Sequence, residues 1–86
     1  RRSAPTLFRA LSDLAARVAD GTADCEAVAK ATAENLLTAG FASVDYVSVC
    51  DAETLAPVER VTGAARVFGA AHLGPARLID NLPVGR

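Results

Sequence analysis

The segment RVFGAAHLGPARLIDNL, residues 66–82, decides the fold that this sequence predicts. Its first part, residues 66–73, places apolar residues on both faces of a strand, as expected at the centre of a sheet. Gly74-Pro75 indicates a turn, and residues 77–82 indicate another strand, which Pro83 keeps from a long central run. The segment therefore predicts a β-hairpin whose first strand lies at the centre of the sheet.

A third strand is predicted earlier in the chain, at residues 44–50, which are rich in β-branched and aromatic side chains. Residues 51–62 contain Pro57 and several charged side chains, and they predict a connecting loop. The second half of the chain is therefore expected to form a small, mostly antiparallel three-stranded sheet.

The first half of the chain has the periodicity of helices. In the first helix one stripe carries the apolar residues Leu7, Phe8, Leu11, Leu14, Ala15 and Val18. Pro5 suits its first turn, and Gly21 is expected to end it in the left-handed conformation. A second helix is expected to be capped by Thr22, to end at Gly40, and to bury Cys25, Val28, Ala29, Thr32 and Leu36.

Together these elements predict an α+β fold. The two helices, joined by a turn of about two or three residues, form an αα-hairpin. This hairpin is expected to pack on one face of the small three-stranded sheet. At 86 residues the chain supports one domain.

Charge and composition exclude several classes of function. Nine Lys and Arg against ten Asp and Glu give a net charge of −1, which provides no basic surface for a nucleic acid. The apolar run 67–73 is too short to span a membrane. Cys25 and Cys50 have the spacing of neither a disulfide scaffold nor a CxxC site, and they indicate a reduced, cytoplasmic setting.

The sequence contains no set of residues that predicts catalysis or metal binding. His72 is expected at the surface near a strand end, and both cysteines are expected to be structural. Asp45 and Asp51 have an even spacing that places both near one side of the sheet, as solvated charges. The segment RLIDN, residues 77–81, leaves two interpretations open: an Asp-Asn pair that fixes a turn, or a polar patch that faces a partner or ligand.

Five short motifs occur in an order and spacing that resemble one family. They are APTLFRAL at 4–11, VDY at 44–46, DAETL at 51–55, AAHLG at 70–74 and RLIDN at 77–81. Together they resemble the C-terminal domain of the bacterial pantothenate synthetase (pantoate–β-alanine ligase) family over essentially all 86 residues. Two departures are His72, where the family frequently has Arg, and Pro75-Ala76, which replaces a small residue and Thr.

The resemblance implies that residues 1–86 are a single C-terminal lid domain of a larger two-domain ligase. Family members carry an H-x-G-H motif, a K-M-S-K-S-like segment and the substrate pockets in a Rossmann-like N-terminal domain. They use ATP and Mg²⁺ to convert pantoate to pantoyl adenylate, which β-alanine attacks to give pantothenate and AMP. With one histidine and no methionine, this chain holds neither motif. No catalytic or metal-binding residue is therefore transferred to it, and its substrate-binding residues are left unassigned.

The absence of methionine also indicates a fragment or a processed product. The implied partner is the family's N-terminal domain, whose active site the lid covers to exclude water. Arg1 and Arg2 are expected near the hinge, in contact with the departing pyrophosphate. The isolated chain is expected to be inactive, to bind no cofactor and to self-associate through the face it presents to that domain. The alternative is a free-standing α+β protein-interaction module without catalysis.

Overall fold

The computed structural model describes residues 3–84, which form two helices followed by a three-stranded sheet. The helices are α1 (Ser3–Val18) and α2 (Cys25–Thr38). The strands are β1 (Ser43–Asp51), β2 (Ala65–Leu73) and β3 (Ala76–Pro83). The predicted α+β fold, a helical hairpin packed on a small antiparallel sheet, is confirmed.

The strand order is β1-β2-β3, and both pairings are antiparallel. β2 is thus the central strand, as its two apolar faces predict. Gly74 forms the turn to β3 with a φ of 57°, a left-handed value that glycine adopts at little cost. Between Val44 and Tyr46 the register of β1 shifts, so that Asp45 is an extra residue opposite β2. This bulge changes which way the Asp45 side chain points.

The core lies between the helices and one face of the sheet. α1 packs closely on β2 at Gly69, because a Cβ at this position would meet Leu11 Cδ2 at 3.0 Å. The odd-numbered residues of β2 therefore face the helices, and the even-numbered residues face away. The main buried side chains of this core are Leu7, Leu11, Leu14, Val18, Cys25, Leu36, Phe41, Val49 and Val67. Burial of one large apolar side chain stabilises the fold by about 1.5–3 kcal/mol.

The apolar stripe predicted for α1 is confirmed except at one position. Phe8 leaves 50% of its surface exposed, whereas its neighbour Leu7 is buried. Successive residues of a helix point about 100° apart, so Phe8 falls beside the narrow stripe that contacts the sheet. The stripe consists of Leu7, Leu11, Leu14, Ala15 and Val18.

The connection between the helices differs from the prediction. It covers residues 19–24, which is longer than a two- or three-residue turn. Asp24, and not Thr22, caps α2, and its carboxylate accepts a hydrogen bond from the backbone N–H of Glu26 at 3.1 Å. Thr22 instead donates its hydroxyl to Asp20 at 2.8 Å. The cap thus lies two residues later than predicted because the intervening residues form a turn of their own.

Glycines follow both helices, as predicted. Gly21 has a φ of 81° after α1, and Gly40 has a φ of 116° after α2. At Gly21 the loop before β2 also comes close, because a Cβ there would meet the backbone oxygen of Val61 at 2.6 Å. Gly21 is therefore required both by its conformation and by the packing of the loop.

Candidate functional site

The face of the sheet turned away from the helices carries the residues of three motifs, and we call it the open face. Cross-strand partners share a face, so the even-numbered residues of β2 define its members on all three strands. The bulge adds a further member from β1. The open face consists of Ser43, Asp45, Tyr46, Ser48, Cys50, Arg66, Phe68, Ala70, His72, Arg77, Ile79, Asn81 and Pro83.

At one end of the open face, Asp45 joins all three strands. Its Oδ2 accepts a hydrogen bond from Arg77 Nε at 2.8 Å and one from His72 Nε2 at 3.2 Å. The hydrogen bond from Arg77 is the main cause that lowers the pKa of Asp45 below that of a free aspartate; the smaller contribution from His72 adds to it, and burial opposes it. The cluster therefore keeps Asp45 ionised and holds the Arg77 guanidinium in place.

The predicted arrangement of Asp45 and Asp51 on one side of the sheet is wrong. Asp51 is in register with Ala65, on the face that the helices cover, whereas Asp45 bonds to side chains of the open face. The bulge breaks the alternation on which the prediction depended. Asp51 accepts hydrogen bonds from the backbone N–H groups of Thr54 and Glu53 at 2.9 and 2.8 Å, and these bonds lower its pKa. Its role is to fix the start of the loop.

At the other end of the open face, Arg66 bonds to Asn81. Asn81 Oδ1 accepts from Arg66 Nη2 at 2.7 Å and from Nε at 3.2 Å. Asp80 accepts from the backbone N–H of Asn81 at 2.8 Å, and both residues lie inside β3 rather than in a turn. Of the two interpretations left open for RLIDN, the turn is wrong, and a polar patch that faces a partner or ligand stays a prediction. Arg77 and Asn81 share the open face, with the apolar Ile79 between them.

The single histidine and the two cysteines are placed largely as the sequence predicts. His72 lies near the end of β2, with its side chain 37% exposed. Its bond to Asp45 was not predictable from spacing, because the two residues are 27 apart and meet only through strand pairing. Cys25 and Cys50 are free and buried, and burial raises the pKa of the Cys25 thiol, which favours the neutral form. This burial fits the structural role predicted for both cysteines.

A cleft of about 520 Å³, which shares only Ser48 with the open face, lies between α2 and β1. Its charged side chains, Glu26, Lys30 and Glu59, come from the helix and the loop, and its floor includes the buried Cys25. No lining residue belongs to the five motifs, all of which lie elsewhere in the chain. The open face is thus the better candidate site.

Within residues 3–84, no group of three or more His, Cys, Asp or Glu side chains could hold a metal ion. None of the helices in that part of the chain has the length and apolar character needed to cross a membrane. Arg1 and Arg2, for which a contact with pyrophosphate was predicted, lie outside the described residues.

The chain is similar to one family over nearly its whole length. The family model for pantoate-beta-alanine ligase matches residues 1–83. The pantothenate synthetase of Dinoroseobacter shibae is 52% identical over 89 residues, which cover 99% of this chain and 30% of that protein. The pantothenate synthetase of Rhizorhabdus wittichii is 46% identical over 84 residues, which cover 98% of this chain and 29% of that protein.

A solved structure agrees with these matches. The crystal structure of pantothenate synthetase from Thermus thermophilus resembles this fold with a TM-score of 0.73 and 38% identity, over 95% of this chain and 29% of that one. The chain thus spans about 30% of the length of the relatives it matches. The family resemblance carried by the five motifs is confirmed: this chain belongs to the pantoate–β-alanine ligase (pantothenate synthetase) family.

Proposed function

We propose that this chain is the lid domain of an ATP-dependent ligase that joins pantoate to β-alanine. One observation carries the proposal: residues 1–83 match the family, yet the chain spans only about 30% of the length of its relatives. The described residues supply a helical layer and a sheet whose strands Asp45 joins. These properties fit a cover for chemistry that the rest of a longer protein performs.

The proposed reaction has two steps. The carboxylate of pantoate attacks the α-phosphorus of ATP, and pyrophosphate leaves as pantoyl adenylate forms. The amine of β-alanine, with loss of a proton, then attacks the acyl carbon, and AMP leaves as the amide forms. We assign both steps to the remainder of the longer protein. No described residue is assigned a role at Mg²⁺.

The lid contributes by limiting access of water to the intermediate. An acyl adenylate is a mixed anhydride, and water competes with the amine for its acyl carbon. A domain that closes over the site excludes this water and retains the intermediate until the amine attacks. Such a lid has to move as a unit. The Asp45 cluster supports this role, since it ties the three strands together through Arg77 and His72.

A coupling assay tests the proposal. The full-length protein that contains this chain is expected to form pantothenate and AMP from pantoate, β-alanine and ATP. The 86-residue chain alone is expected to release no AMP above a blank. The gene is expected to encode an H-x-G-H segment upstream of Arg1. Release of AMP by the isolated chain would overturn the proposal, and a reading frame that begins near Arg1 would favour the free-standing interaction module.

Two further expectations remain predictions. The proposed enzyme acts in the cytoplasm, where fractionation would detect it.

The isolated chain self-associates, because an apolar surface that a partner normally covers is free in the isolated chain. Sedimentation velocity over a range of concentrations would detect this self-association. A monomeric profile at high concentration would contradict the second prediction.

A further inference from the structure

The cleft between α2 and β1 runs along the outer edge of the sheet, where β1 is only partly paired. A short segment of the following loop bonds to the end of β1. In it, Val58 N–H donates to Val49 C=O at 3.1 Å. Two residues further along β1, Asp51 N–H donates to Ala56 C=O at 2.9 Å. The odd-numbered residues in this part of β1 therefore turn their backbone groups outward, away from β2.

This outer pairing stops because the chain turns toward α2. Glu59 C=O accepts from Cys25 N–H at 2.8 Å, which holds the loop against the helix. Val49 N–H and both backbone groups of Val47 are thus left without a hydrogen bond within residues 3–84. Val49 is only 3% exposed, and a buried N–H without a partner is costly. The cleft therefore has backbone groups that a ligand can bond.

The spacing of these groups indicates which chemical groups fit. The C=O of Val47 and the N–H of Val49 lie two residues apart on the same edge. In a parallel sheet, one residue of the neighbouring strand bonds such a pair through its own N–H and its own C=O. An amide N–H followed by a carboxylate, as in an N-acyl amino acid, has the same order of donor and acceptor.

The side chains of the cleft combine apolar and charged groups. Ala29 and Val58 are apolar, and they come from the helix and the loop. Lys30, the single lysine of the chain, and the carboxylates of Glu26 and Glu59 also line the cleft. Within the part of the chain that the structure describes, none of these three charged groups forms an ion pair. The cleft thus offers one cation, two anions and an apolar wall.

A small molecule fits this cleft better than a second copy of the chain. A strand of another copy, paired along β1, would meet residues 56–58, which already cover the outer edge at 49–51. The volume of about 520 Å³ lies in the range of sites that hold small ligands. The occupant is therefore expected to bond Val47 and Val49 without extending along the whole strand.

We propose that this cleft binds a small N-acyl amino acid with a branched, hydroxylated acyl group, the chemical class to which pantothenate belongs. The inference rests on the proposed function, because that reaction supplies a molecule of this class as its product. The amide N–H of the ligand donates to Val47 C=O, and its carboxylate accepts from Val49 N–H and Lys30. Its branched carbons pack on the apolar wall, and its hydroxyls donate to the two glutamates.

Titration of the nitrogen-15-labelled 86-residue chain with pantothenate, followed by NMR, tests this site in the absence of ATP. A ligand with few heavy atoms in an open cleft is expected to bind with a Kd of about 1 mM. Saturable shifts are expected at the backbone amides of Val47 and Val49, with Asp13 and Ile79, outside the cleft, unchanged. The absence of a saturable shift at Val47 and Val49 would overturn the proposal.

Two further probes test which groups of the ligand are bound. The alcohol analogue, in which CH₂OH replaces the carboxylate of pantothenate, is expected to bind about two- to five-fold more weakly, the effect of an exposed charge pair. An unlinked mixture of pantoate and β-alanine, which has no amide, is expected to bind more weakly than pantothenate. Equal affinity for pantothenate and for either probe would overturn the proposed ligand class.

A pair of matched variants tests the role of the lysine. Lys30→Gln is expected to weaken binding of pantothenate by the same two- to five-fold and to abolish the preference for the acid over the alcohol. Arg17→Gln, which removes a positive charge on α1 outside the cleft, is expected to keep that preference. Unchanged resonances away from the cleft show that each variant is folded. A preference that survives Lys30→Gln would overturn the proposal.

The result is separate from the test of the reaction, because the titration needs no turnover. An active full-length ligase whose residues 25–59 show no binding of pantothenate would overturn this inference alone. Binding of pantothenate in the cleft, together with a full-length protein that forms no pantothenate, would overturn the proposed reaction and support the site.

Discussion

Asp45 has an ionisation that depends on contacts between three strands, which makes it a local test of the sheet. The hydrogen bond from Arg77 lowers the pKa of Asp45, with a smaller contribution from His72. Arg77→Gln is therefore expected to raise this pKa toward that of a free aspartate, as measured by NMR titration of the carboxyl carbon. Arg17→Gln, which removes the ion pair with Asp13 on the helical side, is the control and is expected to leave the pKa of Asp45 unchanged.

The direction of the pH dependence follows from this shift. Because the folded state lowers the pKa of Asp45, its contribution to stability is present above the pKa of the unfolded chain. That contribution is lost as the pH falls through the lower, folded-state pKa. The difference in unfolding free energy between the native chain and Asp45→Asn should therefore disappear in acid. If Arg77→Gln left the measured pKa of Asp45 unchanged, the hydrogen bond from Arg77 would not be the cause of the lowered pKa.

The cap of α2 gives a second test on single residues. Asp24→Ala removes the carboxylate that accepts from the first turn, and is expected to lower the unfolding free energy by about 1 kcal/mol. Thr22→Ala removes only an exposed bond to Asp20, and should change it by less than about 0.5 kcal/mol. Urea unfolding measures both. If Thr22→Ala lowered the unfolding free energy more than Asp24→Ala, Thr22 would be the cap of α2, as predicted from the sequence.

Contacts between distant residues mark the limit of sequence reasoning at this scale. The alternation of β3 correctly places Arg77 and Asn81 on one face. The partner of Arg77 was not predictable, because Asp45 lies 32 residues away and reaches it only through the bulge in β1. A bulge is one extra residue, and the composition of residues 43–51 contains no signal for it.

Packing of α1 on β2 is tested at the scale of elements by two glycine substitutions. A Cβ on Gly69 would meet Leu11 at 3.0 and 3.3 Å, and Leu11 is fully buried. Gly69→Ala is therefore expected to lower the unfolding free energy by about 1–3 kcal/mol through overpacking. Gly63→Ala, whose Cβ would meet no atom within 4 Å, should be neutral or slightly stabilising.

These two variants are compared by urea unfolding of the same chain. If Gly69→Ala were as stable as Gly63→Ala, α1 would not lie as close to β2 as described. A joint substitution of Gly69→Ala with Leu11→Val tests the contact itself. The smaller Val side chain makes room for the added methyl group, so the cost of the two changes together is expected to be less than the sum of the two alone.

The order and type of the elements were predictable, whereas their fine placement was not. Hydrophobic period separates the helices from the strands, and the apolar faces of residues 66–73 identify the central strand. The predicted apolar stripe of α1 wrongly included Phe8, because the width of the buried stripe depends on the sheet against which α1 packs. The link 19–24 was predicted too short, since its turn uses a bond between Thr22 and Asp20.

For the molecule as a whole, the five motifs were enough to identify the family, whose model matches residues 1–83. They did not predict the composition of the open face, which becomes visible only when the strand register places Tyr46 and Ile79 beside Ala70, between the networks of Arg66 and Arg77.

The lid proposal is tested most directly by the ratio of AMP to pantothenate formed from pantoate, β-alanine and ATP. The full-length protein is expected to form the two products in equal amounts. A truncated protein that lacks residues 1–86 but still forms the adenylate is expected to release more AMP than pantothenate, because water then reaches the acyl carbon. Equal amounts of AMP and pantothenate from the truncated protein would contradict the proposal.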